Sequence, residues 1–342
     1  MKACGLFSTG CNMIRRLAIA CAGLLTLAGT HTVFAAEIAE VTVAQLRAPG
    51  MEPRAIVYKT AGDAKLQIHV YAGEGRTPGE KRPAILMIHG GGWQAPGPFH
   101  MASHCRYFAL RGLVAVNVEY RLVKQDSTVR IPDCVADCRD ALRCVRRMAD
   151  NLGIDPQRIA VAGDSAGGHL AASLALLPDP EESTPGVPSS RPNAVVLYNP
   201  VVDLAALKWM PGHAGVAAIR ASRPDETWED RARQVSPIRY VRKGLPPTLL
   251  VHGDRDGCVP VEQADRFAKL MRDAGNQIEY KRMAGWDHAF AIPGCGSDAQ
   301  IAEALRMTDQ FLAGLGYLHG KATIAATRPS PASAQPQGER AP

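Results

Sequence analysis

The sequence predicts an α/β fold with a mostly parallel central sheet and helices on both faces. Three observations carry that prediction. Short apolar runs of strand length alternate with segments of helical period along most of the chain. The unusual loops, rich in glycine, aspartate and histidine, all follow strands, where open α/β sheets place their chemistry. A lone serine also stands between glycines in Val161-Ala162-Gly163-Asp164-Ser165-Ala166-Gly167-Gly168, at a strand-to-helix turn. The 342 residues, 46% hydrophobic and 21% charged, suffice for one large core.

The chain opens with a secretory pattern over 1–35. Lys2, Arg15 and Arg16 precede the apolar run 17–28, and Val33-Phe34-Ala35 offers a small-residue cleavage site, so the protein is expected to be exported to the periplasm or beyond. The run is too short for a stable membrane span. Of nine cysteines, Cys4, Cys11 and Cys21 leave with that segment, and the even remainder permits disulfides. The net charge of +6 is not gathered into a basic stripe with interleaved aromatics, which argues against a nucleic-acid partner.

One domain follows over 36–320. Residues 65–71 alternate, with Leu66, Ile68 and Val70 on one face, as in a half-exposed strand near a sheet edge, and 55–59 pairs with it. The continuous apolar run 84–88 is a buried strand ending at His89-Gly90-Gly91-Gly92-Trp93. Helix 98–111 stops at Gly112, and strand 113–120 comes next. Pro132 opens the clearest helix, with Val135, Cys138, Leu142, Val145, Ala149 and Leu152 at steps of three and four and Gly153 closing it. Strand 158–162 leads into the serine turn and helix 169–177 leaves it. A polar loop (178–192), strand 194–198 and an irregular segment (201–237) precede strand 248–251, helix 262–274, strand 277–282 and helix 299–315. The irregular segment, with Trp209 and Trp228, is read as a small lid or as a surface excursion. From 321 to 342 the chain is Ala, Pro, Ser and Gln without apolar period, the composition of a disordered tail.

The serine turn reads as a nucleophile elbow. A tight turn strains the backbone and leaves no room beside it, so Gly163 and Gly167 flank Ser165. It is not a phosphate loop, because it has neither a Lys-Ser/Thr pair nor Gly-x-Gly-x-x-Gly. A serine hydroxyl needs a base within hydrogen-bond reach, itself oriented by a carboxylate. His288, in Gly285-Trp286-Asp287-His288-Ala289-Phe290, is the candidate base. Asp256, in His252-Gly253-Asp254-Arg255-Asp256-Gly257-Cys258-Val259-Pro260, is favoured over Asp254 as the acid because Val259-Pro260 leaves it at the loop tip. Asp287 is expected to be solvated. Negative charge on a tetrahedral intermediate calls for backbone N–H donors, and Gly91, Gly92 and Ala166 can supply them.

Together, His89-Gly90-Gly91-Gly92-Trp93 and Gly163-Asp164-Ser165-Ala166-Gly167-Gly168 resemble the hormone-sensitive-lipase-like branch of the α/β-hydrolases. The likeness runs from about Leu66 to Leu318 and takes in Tyr120-Arg121-Leu122 and Ser236-Pro237-Ile238. Within the branch the chain resembles exported bacterial acetyl and feruloyl esterases. The resemblance implies an α/β-hydrolase fold and a serine carboxylesterase that needs no cofactor. Ser165 would be the nucleophile, His288 the base and acid, and Asp256 the orienting carboxylate. Gly91, Gly92 and Ala166 would form the oxyanion hole, supported by His89, Gly90 and Asp164. Many members build a helical cap from residues ahead of the first strand, and this chain has little there.

Two other functions compete. A prolyl-oligopeptidase-type peptidase shares the fold, but those enzymes tend to carry Tyr after the serine, where this chain has Ala166. A non-catalytic binding protein on a hydrolase scaffold would be free to lose Ser165 or His288. His100 and His104 stand four apart on a helix, yet no third ligand accompanies them and no metal site is assigned. Cys258 and Cys295 follow the acid and the base, and a disulfide is expected between them, stabilising by roughly 3–4 kcal/mol in the chain-entropy model. Cys134, Cys138 and Cys144 are expected to be core thiols.

Overall fold

The computed structural model describes residues 40–325 apart from 74, 76, 78, 96, 125–127 and 208–227. The secretory segment 1–35, most of the lid segment and residues 326–342 therefore lie outside the described residues.

The main sheet has eight strands: β2 (Arg54–Ala61), β3 (Ala64–Ala72), β4 (Arg82–Ile88), β5 (Val114–Val118), β6 (Ile154–Asp164), β7 (Ala194–Tyr198), β8 (Thr248–Gly253) and β9 (Ile278–Met283). Their order across the sheet is β2-β3-β5-β4-β6-β7-β8-β9. The β2–β3 hairpin is antiparallel and β3 runs antiparallel to β5, while every other pairing is parallel. The sequence pattern explains the placement. Central strands β4, β5 and β7 are almost wholly apolar and buried, with Arg82 at the start of β4 and Asn117 in β5 as polar exceptions, whereas the edge strands β2 and β9 have only half-buried and exposed positions.

Alternate residues of β4 feed two cores. Ala84, Leu86 and Ile88 pack with α3 (Ile131–Arg147), α5 (Ser165–Leu176) and α7 (Val261–Asp273). Ile85 and Met87 pack on the opposite face with α1 (Val43–Arg47), α2 (Ala102–Leu110) and α8 (Asp298–Gly314). Each fully buried Leu, Ile or Phe on these faces contributes about 1.5–3 kcal/mol relative to exposure. Helix α3 carries Pro132 in its first turn, and α4 (Ala149–Leu152) follows it and ends on Gly153 in the left-handed region at φ 67. The expected α/β architecture is the observed one.

Several boundaries differ from expectation. Strand β6 begins at Ile154, not Arg158, because Ile154 pairs with Arg82 before a register shift. Helix α5 starts at Ser165 itself rather than at His169. Gly167 and Gly168 read as turn residues, but they are helical here and buried between β4 and β7. The irregular segment contains α6 (Trp228–Gln234) and 3-10 turns at Leu204–Ala206 and Pro237–Tyr240. The tail does not begin at 321. Ile324–Ala325 forms β10, parallel to β1 (Val41–Thr42), and Val41 N–H donates to Thr323 O at 2.7 Å. Ile324 is buried in the α8 core, apolar content that the surrounding Ala, Thr and Pro composition hides.

Chain direction determines where a site can form. From β4 the chain moves outward to β5 and then returns to β6 on the other side of β4. That reversal opens a crevice beyond the carboxyl ends of β4 and β6, where the glycine loop and the serine turn emerge. At the far side of α2, Arg111 and Asp309 form an ion pair with side chains 3% and 1% exposed, and Tyr107 Oη donates to the same carboxylate at 2.7 Å. Asp309→Ala leaves a buried guanidinium without its anion. Urea unfolding is expected to show a loss of about 3–5 kcal/mol, against a change within error if the pair is dispensable.

Candidate active site

Ser165 sits at the junction of β6 and α5 with φ 50, a left-handed backbone that a non-glycine residue adopts only when its surroundings impose it. The surroundings are close-packed. A Cβ on Gly163 would overlap the Gly167 carbonyl, and one on Gly167 would overlap the carbonyl of Ile88 at the end of β4. The elbow glycines therefore let β4, β6 and α5 meet closely enough to present the hydroxyl.

His288 comes from the loop between β9 and α8, and Asp256 from the loop between β8 and α7. Ser165 Oγ lies 2.9 Å from His288 Nε2, and His288 Nδ1 lies 2.7 Å from Asp256 Oδ2. The carboxylate accepts, so Nδ1 carries the hydrogen and Nε2 is free to accept from the serine. Asp256 Oδ1 accepts from the backbone N–H of Cys258 at 2.8 Å and of Val259 at 2.7 Å. Burial pushes the Asp256 carboxyl up, but hydrogen bonds from His252 and His288, the His288 charge and the Val259 N–H outweigh it and hold it well below the ordinary carboxylate range.

The competing acids have other places. Asp254 accepts from Gly285 N–H at 2.7 Å and so ties the loop carrying Asp256 to the loop carrying His288. Arg255 N–H strengthens that tie by donating to Trp286 O at 3.1 Å. Asp287 is exposed.

The glycine loop is held from two sides. Gly90 N–H donates to Asp164 Oδ1 at 2.8 Å, while His89 stacks on Tyr120 with ring centroids 4.4 Å apart. His89 Nδ1 lies 2.8 Å from Gly90 O, and Tyr120 Oη donates to His89 O at 2.9 Å. Burial lowers the His89 pKa to about 4, so near neutral pH the brace is an uncharged ring. Gly91, Gly92 and Trp93 then follow at φ 94, 61 and 61, a run of left-handed conformations that the second and third glycines of the motif make feasible. Ala166, in the first turn of α5, has a backbone N–H without an intrahelical acceptor. The three predicted donor residues and Ser165 line one cavity of about 330 Å³, with Val201, Val259 and Ile292 among its apolar walls. This arrangement can activate a hydroxyl and stabilise an oxyanion beside it. A larger cavity of about 450 Å³ lies among Arg146, Pro188 and Arg191, with no serine–histidine pair on its walls.

Several features depart from expectation or were not legible. Cys258 and Cys295 are free thiols, both exposed and both lining the cavity, so the expected disulfide is absent although the two loops do meet. Burial and the nearby Asp256 charge push the Cys258 thiol up, which disfavours a competing thiolate nucleophile. His100 also lines the cavity, whereas His104 is buried against Tyr198, so the two do not gather as a ligand pair. Among the described residues, the group with ligand atoms close enough for a metal ion is Asp256, Cys258 and His288. Two of its members are already hydrogen-bonded to each other. Cys134, Cys138 and Cys144 are buried, as expected. Among the described residues, no helix is long and apolar enough to cross a membrane.

Comparison with known proteins places this arrangement in context. The BD-FAE family model matches residues 69–271. A thermophilic esterase from the planctomycete Thermogutta terrifontis, solved with propionate bound, is 37% identical, covering 79% of this chain and 97% of that one with a TM-score of 0.69. The same esterase phosphorylated by paraoxon matches at 36% identity, over 80% of this chain and 98% of that one, with a TM-score of 0.69. Esterase LipQ of Mycobacterium tuberculosis is 29% identical over 253 residues, 71% of this chain and 57% of that protein. The chain spans about half the length of these curated relatives.

Asp164 yields a pH prediction. Burial pushes its carboxyl up to about 6 from 3.8, against the opposing pull of the Gly90 N–H. The unfolded chain releases this proton first, so the group's contribution to stability declines as pH rises from about 4 to about 6. Asp164→Asn keeps an oxygen for Gly90 but cannot ionise. Its urea midpoint is expected to rise relative to wild type between about pH 4 and about pH 6, and a constant offset between the two proteins would contradict the assignment. Asp164→Ala releases Gly90 and is expected to lower kcat on an ester about tenfold or more with little change in KM.

Proposed function

The chain belongs to the BD-FAE family, in the hormone-sensitive-lipase-like branch of the α/β-hydrolases, and from that premise we propose that it is a serine carboxylesterase working through an acyl-enzyme. The observation that carries the proposal is the continuous path from Ser165 Oγ through His288 to Asp256, opening into a cavity lined by Gly91, Gly92 and Ala166.

Ser165 Oγ attacks the ester carbonyl while His288 Nε2 takes its proton. The oxyanion that forms is held by backbone N–H groups of Gly91, Gly92 and Ala166, each worth about 3–4 kcal/mol in such sites. Asp256 keeps the imidazole in the Nδ1–H tautomer and stabilises the imidazolium. His288 then protonates the departing alkoxide, the alcohol leaves, and a water activated by the same histidine releases the acid. No step calls for a cofactor.

The substrate is an ester of a short acyl group, or an acetyl or feruloyl ester of plant-wall polysaccharide. A cavity of about 330 Å³ with largely apolar walls supports small acyl groups. The Thermogutta terrifontis esterase has been captured with propionate and with butyrate, which supports the same size. The basic and apolar pattern over 1–35 supports export, which would bring the enzyme to such polymers.

Nitrophenyl esters of rising chain length, followed by acetylated and feruloylated xylan, test the proposal. Rates are expected to be highest for short acyl chains and to fall by about 10⁴-fold or more in Ser165→Ala. Wild-type rates no higher than those of Ser165→Ala on every ester would overturn the esterase assignment, and a maximum at long acyl chains would overturn the substrate class alone.

A further inference from the structure

A second histidine touches the acid of the proposed triad. His252, near the end of β8, is completely buried. Its Nε2 lies 2.9 Å from Val259 O and 3.2 Å from Asp256 Oδ2. A carbonyl only accepts, so Nε2 carries the hydrogen and donates it to Val259 O, while the same nitrogen stands within ion-pair distance of Asp256 Oδ2. The other ring nitrogen, Nδ1, has no hydrogen-bond partner among the described residues. The ring is therefore the neutral Nε2–H tautomer, and it faces Asp256 as a donor. Asp256 Oδ2 thus serves two imidazoles, His288 at 2.7 Å and His252 at 3.2 Å, while its Oδ1 serves two backbone N–H groups.

We propose that His252 is a positioning residue, whose Nε2–H clamps Asp256 Oδ2 in line with His288 and moderates how strongly that oxygen pulls on the catalytic imidazole. The inference rests on the esterase reading of the site. Two effects follow from this contact. Anchored at Val259 O, the buried ring stands against Oδ2 and resists rotation of the carboxylate, since turning Oδ2 away from His288 would also take it away from Nε2–H. Each donor that the carboxylate accepts also lowers its basicity. Without His252, Asp256 would favour protonated His288 more strongly, and the imidazole would become available as a base only at higher pH.

The charges around the pair come from several elements. Cys258 faces Asp256 and His288 from the acid's own loop, and Asp164 reaches His288 from the elbow. Arg282 is level with His252 on β9, but its guanidinium is paired with Asp265 at 2.8 Å. None of these replaces the His252 N–H beside Oδ2.

The test is the pH profile of kcat/KM on p-nitrophenyl acetate for wild type, His252→Phe and His252→Gln, with active sites counted by paraoxon labelling. Phe fills the space without a donor, whereas Gln can return an N–H to the place of Nε2. The Phe variant is expected to lose about tenfold to 100-fold, mostly in kcat, and its acid limb is expected to move up by about half a pH unit or more. Gln restores the limb. An unmoved limb in the Phe variant overturns the proposal, whatever the loss of rate, because a merely structural role would lower the count of active sites and leave the limb in place. Should the Phe variant not fold, His252→Asn, too short to reach Oδ2, carries the same expectation. Imidazole ¹H–¹⁵N spectra of the wild-type protein must also place the His252 hydrogen on Nε2, and the Nδ1–H tautomer would overturn the proposal without any variant. Wild-type activity no higher than Ser165→Ala would instead mark failure of the underlying esterase reading.

Discussion

The hydrogen bond from Gly90 N–H to the Asp164 carboxylate, at 2.8 Å, is the contact on which the proposed chemistry depends. It fastens the loop after β4 to the residue preceding Ser165, across the point where the sheet reverses its strand order. Together with the His89–Tyr120 brace it fixes Gly91 and Gly92 relative to Ser165. The contact is bought with a buried carboxyl, and its elevated pKa records the cost. Gly90 is glycine for the same reason, since a side chain there would collide with Asp164.

The opposite wall of the site is built by different means. There the paired loops after β8 and β9 are tied to each other by Asp254 to Gly285 and by Arg255 to Trp286. Asp256 and His288 hang from those loops and meet because the two strands are adjacent, and His288 then reaches Ser165. The two histidines on Asp256 share one oxygen, so orientation and basicity of the acid are set together in the account given above.

Most of the architecture was legible because the central strands are apolar runs and the helices keep their period. The elbow and the glycine loop were legible because tight turns admit few residue types, and such constraints leave local marks. Asp256 was separable from Asp254 by its position before Val259-Pro260. What escaped notice depends on contacts distant in sequence. His252 looks like a strand residue before a glycine, and only the folded loop brings Asp256 back onto its ring. Cys258 and Cys295 follow the acid and the base, but proximity of loops does not dictate that two thiols bond. The helical start at Ser165 was hidden by Gly167 and Gly168, whose weak helix propensity is overridden by the close approach of β4. Ile324 was lost in a low-complexity stretch, although a single buried aliphatic suffices to hold a two-residue strand.

The central claim is that Ser165 forms an ester with the acyl group during turnover. Wild-type protein quenched in acid during hydrolysis of p-nitrophenyl acetate, digested and analysed by mass spectrometry, tests it most directly. The account predicts one acetyl group on the peptide containing Ser165, with none on that peptide in Ser165→Ala. Rapid hydrolysis with no adduct at Ser165, or an adduct on Cys258 instead, would contradict it.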